Sequence, residues 1–177
     1  MEGALPMTTL RSATAAALVF FASMGASAVA NEYRSPDGQV TAVVRHGGSD
    51  DCEARIAWRS ASGRVVLRKS FVSSNHANGY CVQSAAWTPD SQFFIFNLYS
   101  SGGHSPWHFP TWFFSRRTAS VEALQDYIAD PVTGAKISVS APDIVEVTTS
   151  ALPLGTHPPV RRRISLGQIH QGTRTGK

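Results

Sequence analysis

Three Pro-Asp pairs, beginning at Pro36, Pro89 and Pro142, punctuate the chain at equal intervals, Pro89 lying midway between the other two. They sit in Arg34-Ser35-Pro36-Asp37-Gly38, Trp87-Thr88-Pro89-Asp90-Ser91 and Ser140-Ala141-Pro142-Asp143-Ile144, and each is followed by an apolar or β-branched run. Proline sets φ near about −65°, the aspartate side chain bonds back to the backbone two residues on, and glycine supplies the positive φ such a turn needs. A regular series of these corners predicts successive hairpin units rather than helices. The strongest lies at the centre, where Trp87 closes one strand and Phe93-Phe94-Ile95-Phe96 opens the next.

The segments between the corners have β character almost throughout. Gln39–Arg45 reads as a strand leaving the first corner. In Glu53–Arg59, Ala54, Ile56 and Trp58 alternate with Arg55, Ala57 and Arg59, the pattern of a half-buried strand. Arg64–Phe71 follows a Ser-Gly turn and completes a hairpin with it. Tyr80–Trp87, Phe93–Tyr99, Thr111–Arg116, Ile137–Ser140, Ile144–Thr149 and Arg163–Leu166 are further strands. Phe93–Phe96 is apolar on both faces, as expected of a central strand covered on both sides. Val121–Ile128 fits a strand or a two-turn helix.

The order of strand, Pro-Asp corner, apolar strand, loop and strand resembles the TolB-type, WD40-like β-propeller repeat, whose signature is Trp-Ser-Pro-Asp-Gly before a hydrophobic strand. Trp87-Thr88-Pro89-Asp90-Ser91 and Arg34-Ser35-Pro36-Asp37-Gly38 carry the resemblance, which covers about residues 33–100. Ala141-Pro142-Asp143-Ile144 lacks both the Trp and the Gly. The resemblance implies an all-β fold of antiparallel sheets in about three blade-like units. These close either as an incomplete propeller, completed by self-association through sheet edges, or as a compact β sandwich. Arg64, Arg68, Lys69 and Arg161–Arg163 are placed to block edge pairing. A propeller repeat implies no particular activity.

Residues 1–30 read as a signal peptide, with Arg11 in the n-region, a short apolar core from Ala15 to Phe21, and Ala28-Val29-Ala30 before the cleavage point. Residues 31–170 then form a single β domain and residues 171–177 a disordered tail. The destination is secreted or periplasmic, with no integral membrane span in the mature form. The two cysteines, Cys52 and Cys81, both follow the cleavage point and are expected to form a disulfide. Closing that loop of about 30 residues stabilises a fold by about 3–4 kcal/mol on the chain-entropy model. The net charge of +4 is concentrated beyond Glu146, where Arg161, Arg162, Arg163, Arg174 and Lys177 meet no acid. Export argues against nucleic acid as a partner and leaves anionic lipid or polymer open.

The loop Ser100–Pro110 and the strand after it hold the candidate binding residues: His104, Trp107, His108, Phe109 and Trp112. Indole and phenyl faces stack on a partner side chain or a sugar ring. His104 and His108 are also a weak candidate metal pair, but Gly102, Gly103 and Pro106 bar a helix and no third ligand lies close in sequence. Asp50, Asp51 and Glu53 read as a solvated acidic turn. No nucleophile elbow, phosphate-binding glycine loop or triad spacing is present. The expectation is therefore a non-catalytic binding or scaffolding protein of the cell envelope, without a cofactor. Its partner is an envelope protein or, alternatively, a glycan, and a metal-dependent enzyme centred on His104 and His108 is the remoter alternative.

Overall fold

The computed structural model describes residues 30–47, 53–74, 78–100, 108–152 and 157–172. The expected leader up to residue 29, Cys52, His104, Trp107 and the end of the tail lie outside them. The described strands form three antiparallel sheets. The first contains β1 (Ala30–Arg34), β2 (Val40–Gly47), β3 (Glu53–Ser60) and β4 (Val65–Ser70). The central sheet contains β5 (Tyr80–Trp87), β6 (Phe93–Ser100), β7 (Thr111–Ser115) and β8 (Ser120–Ala123). The third contains β9 (Ser138–Ser140), β10 (Ile144–Thr149) and β11 (Val160–Ser165). Each sheet is an up-and-down meander opened by one Pro-Asp corner, and β5 lies beside both β1 and β9. The chain thus forms the all-β, blade-like units its repeat implies.

Two segments differ from expectation. Val121–Ile128 is neither a continuous strand nor a two-turn helix: β8 ends at Ala123 and gives way to a single 3₁₀ turn at Leu124–Asp126 whose Leu124 is buried. In the third sheet a short helix, α1 (Leu166–Gly172), follows β11 where the other units place a fourth strand. Ser165 and Asp143 explain the switch. Ser165 Oγ accepts from Gln168 N at 3.3 Å, and Asp143 Oδ2 accepts from Gly167 N at 2.7 Å, so both cap the helix start.

The first two corners are built alike. The hydroxyls of Ser35 and Thr88 donate to Asp37 Oδ1 and Asp90 Oδ1 at 2.7 and 2.6 Å. The same carboxylate oxygens accept from Gln39 N and Gln92 N, both at 3.0 Å. Gly38 and Ser91 occupy the same turn position with φ of 70° and 62°. Ser91 bears the left-handed conformation at a cost of about 1 kcal/mol, and its Oγ accepts from Asp37 N at 3.0 Å. The corners also join one another. Asp90 N donates to Pro142 O at 3.0 Å, so all three turns stand side by side at one end of the molecule.

Packing follows from the pleat. Val40, Ala42 and Val44 on β2 with Ile56 and Trp58 on β3 meet Trp87, Phe94, Phe96, Leu98 and Phe114 of the central sheet. The opposite face of the central sheet presents Phe93, Ile95 and Phe113 to Val145, Val147, Ile164 and Leu166 of the third unit. The expected two-sided burial of β6 is therefore realised. Asn97 is the polar exception and is fully buried. Its Oδ1 accepts from Ser84 N at 2.9 Å across the β5 irregularity, and its Nδ2 donates to Ala135 O at 2.9 Å, which satisfies both ends of the amide.

Trp58 is wholly buried and stacks on Phe114, centroids 4.7 Å apart, while its indole N–H finds no acceptor among the described residues. Trp58→Ala is expected to cost about 3–5 kcal/mol in urea unfolding. Trp58→Phe should cost far less, because it also removes an unpaired buried donor.

Arg116, in the β7–β8 turn, pairs with Asp37 and ties the central sheet to the first corner. That guanidinium, then the Ser35 hydroxyl and the Gln39 amide, hold the Asp37 carboxyl at about 2, below its ordinary 3.8. A depressed folded value contributes stability that is complete above about pH 4 and lost as pH falls through about 2. The pair is partly exposed, so solvent screens it and the contribution is small. Asp37→Asn should lower the melting temperature slightly at neutral pH, and the difference from wild type should shrink to near zero by about pH 2.

Candidate functional site

Corners occupy one end of the sheets, so the end of β6 and the start of β7, the end of β4 and the start of β5, and the start of β3 all lie at the other. The candidate binding loop leaves from that far end. Its described portion begins at His108. Burial pushes the His108 imidazole below its ordinary value, which favours the neutral ring. Phe109 is fixed through its backbone, whose N donates to Val132 O at 2.7 Å and whose O accepts from Thr111 Oγ1 at 2.9 Å. Both residues are half-buried.

Thr111–Ser115 is a strand because Trp112, Phe113 and Phe114 alternate between two covered faces. Phe114 turns to the first sheet and Phe113 to the third unit, and both are fully buried. Trp112, on the first-sheet side, remains half-buried at the mouth of the seam. Its ring meets Phe71 at 5.7 Å in an edge arrangement, and Lys69 Nζ stands 5.1 Å from its centroid and 5.9 Å from that of Phe71. Tyr80 N donates to Phe71 O at 2.9 Å, which sets the backbone of an exposed tyrosine beside that of Phe71. The result is an apolar, cation-capped patch with flat faces, suited to holding a partner surface.

The structure divides the expected site residues. Trp112 belongs to the seam between the first and central sheets, whereas Phe109 is anchored beside Val132, on the side of the third unit. His104 and Trp107 fall outside the described residues, so their relation to Trp112 is not part of this geometry. Lys69 was expected only to block a sheet edge, and Phe71 and Tyr80 were not singled out as binding residues. They lie far from Trp112 along the chain, and only the pairing of the sheets brings them together.

Glu53 corrects one expectation. It is not part of a solvated turn but only 3% exposed, with its carboxylate accepting from Ser73 N at 3.0 Å and Ser73 Oγ at 2.7 Å. Gly79 packs so closely on it that an added Cβ would fall 2.5 Å from Glu53 Oε1. Cys81 is fully buried just beyond, while Cys52 precedes Glu53 outside the described residues. Among the described residues no cluster of three or more His, Cys, Asp or Glu is placed to hold a metal, and no helix is long and apolar enough to cross a membrane.

A second surface emerges on the outer face of the first sheet. Arg45, Arg55, Arg59 and Arg68 surround Val43 and Ala57 in a hollow of about 420 Å³. The alternation of Arg55, Ala57 and Arg59 is visible in the sequence, but their gathering with Arg45 and Arg68 depends on strand register. Arg161–Arg163, which dominate the charge of the sequence, are partly neutralised instead: Arg162 pairs with Asp130 at 2.5 Å and Arg163 with Glu146 at 3.1 Å.

A double-mutant cycle of Lys69→Gln and Trp112→Leu tests the capped patch. Thermal unfolding should give a coupling of about 0.5–1 kcal/mol, the worth of an ammonium over an indole at a partly exposed site.

No protein-family profile and no curated protein matches the chain. Among solved structures it is similar to a protein described as a TolB from Agrobacterium tumefaciens, with 17% identity and a TM-score of 0.42, over 78% of this chain and 46% of that one. It is also similar to a puromycin hydrolase, with 11% identity and a TM-score of 0.30, over 77% of this chain and 27% of that one. The chain spans about half the length of the first and about a quarter of the second.

Proposed function

We propose that this chain is a non-catalytic binding or scaffolding module of the cell envelope, exported to a secreted or periplasmic location. It contacts a protein partner through the loop at 103–112. The observation that supports this best is the half-buried Trp112, held against Phe71 beneath the Lys69 ammonium where the loop rejoins the central sheet. Aromatic rings fixed by a rigid scaffold lose little conformational freedom on binding and are favoured as anchors of protein interfaces. Trp107, His104, His108 and Phe109 supply the remainder of the contact surface in this reading. A disulfide between Cys52 and Cys81 braces the same end, a pairing supported by the close approach of Glu53 to Gly79.

The glycan alternative uses the same rings as stacking faces, and the two readings part in a cross-linking experiment. A photoreactive phenylalanine analogue is placed at Trp107, at Trp112 and, as a control, at Ser62 in the exposed β3–β4 turn. Irradiation in intact cells should give one discrete protein adduct from the first two positions and none from Ser62. Carbohydrate adducts, or identical products from all three positions, would overturn the protein-partner reading.

A further inference from the structure

We propose that the outer face of the first sheet is a second docking surface, one that takes an extended acidic segment of a partner protein with carboxylates at alternate residues. The face lies on the other side of the first sheet from the Trp112 patch, and Lys69 stands at the margin of both. Along β2 and β3 the inward residues Val40, Ala42, Val44, Ile56 and Trp58 fill the core, so Thr41, Val43, Arg45, Arg55, Ala57 and Arg59 point the other way.

Strand pairing fixes where the charges lie. Arg45 stands directly opposite Arg55, Arg68 opposite Ala57, and Arg59 opposite Thr41, whose other neighbour is Arg34. These are three cationic rungs, each two residues from the next and so roughly 6.6 Å apart along the strands. Among the described residues none of Arg45, Arg55, Arg59 and Arg68 is paired with a carboxylate, and Glu32 is the acid that shares the face. Like charges set directly across a ladder repel. A carboxylate seated between Arg45 and Arg55 relieves that repulsion and accepts forked hydrogen bonds from either guanidinium. Acids at alternate positions of an extended peptide recur at the same roughly 6.6 Å interval as the rungs, so one such segment addresses all three.

Other occupants fit less well. Val43 is only 6% exposed, sunk below the arginines, so the hollow between them offers a bilayer no protruding apolar residue to insert. The face carries no aromatic ring among its described residues, and so no platform on which bases or sugars stack. A second copy docking by its third sheet would present Lys136, Arg161 and Arg163 beside Glu146, which sets like charge against like.

The test is fluorescence polarisation of the whole processed protein with a labelled nine-residue peptide alternating Glu and Thr. The control peptide has the same composition with its Glu residues in one block. The alternating peptide should bind at least about tenfold more tightly than the blocked one. The double variant Arg55→Glu, Arg59→Glu should abolish that binding with a melting temperature no lower than wild type, because Glu at 55 faces Arg45 across the ladder. Trp107→Ala should leave the affinity as it was, separating this surface from the loop. The proposal is overturned by equal binding of the two Glu peptides, or by unaltered affinity in the charge-reversed variant. Tighter binding to phosphatidylglycerol vesicles or to oligo-dT than to the alternating peptide would overturn it as well.

Discussion

Burial of β6 on both faces is the constraint to which everything else is fitted. Phe94, Phe96 and Leu98 require a partner on one side, and Phe93 and Ile95 require another on the opposite side. Each such side chain contributes about 1.5–3 kcal/mol only when fully covered, so the central sheet cannot be stable as an isolated hairpin array. The first and third units supply the covers. Their own outer faces then have no comparable apolar demand, and they are free to carry arginine, lysine and glutamate.

Orientation comes from the corners. Direct hydrogen bonds from Asp37 to Ser91 and from Asp90 to Pro142 align one unit with the next, while Trp87 Nε1 donates to Tyr33 O at 2.8 Å along the same seam. With one end of each meander tied in this way, the strand ends that lead into the longer connections lie at the opposite end. Function is proposed there for the same reason: a stiff scaffold presents Trp112, Phe71 and Lys69 without ordering them anew on binding. The far end has its own fastening. Val82 N donates to His46 Nε2 at 3.4 Å, and burial lowers the pKa of that imidazole, which keeps the accepting nitrogen unprotonated.

The two surfaces differ in chemistry because they arise differently. The patch around Trp112 is the exposed margin of the aromatic core, continuous with Phe96 and Phe114 inside. The arginine face is the unclaimed side of a terminal sheet, where the pleat forces every second residue of β2 and β3 outward. One is suited to shape and stacking, the other to charge spaced at a strand's own period. Under the two proposals the chain holds two partners, or two parts of one.

Much of the fold was legible from residue order alone. The Pro-Asp corners, the alternation of Ala54, Ile56 and Trp58, and the doubly apolar run Phe93–Phe96 dictated strands, turns and a covered central sheet, because these signals are local and set by the backbone. The third corner's departure was visible too, in the missing Trp and Gly around Pro142. Glu53 was misjudged because nothing near it in sequence announces Ser73 or Gly79, which bury it. The grouping of Lys69 and Phe71 about Trp112, and of Arg45, Arg55, Arg59 and Arg68 on one face, was likewise out of reach. Which side chains become neighbours across strands depends on register and on which faces the core has already consumed. Those quantities exist only once the sheets have packed.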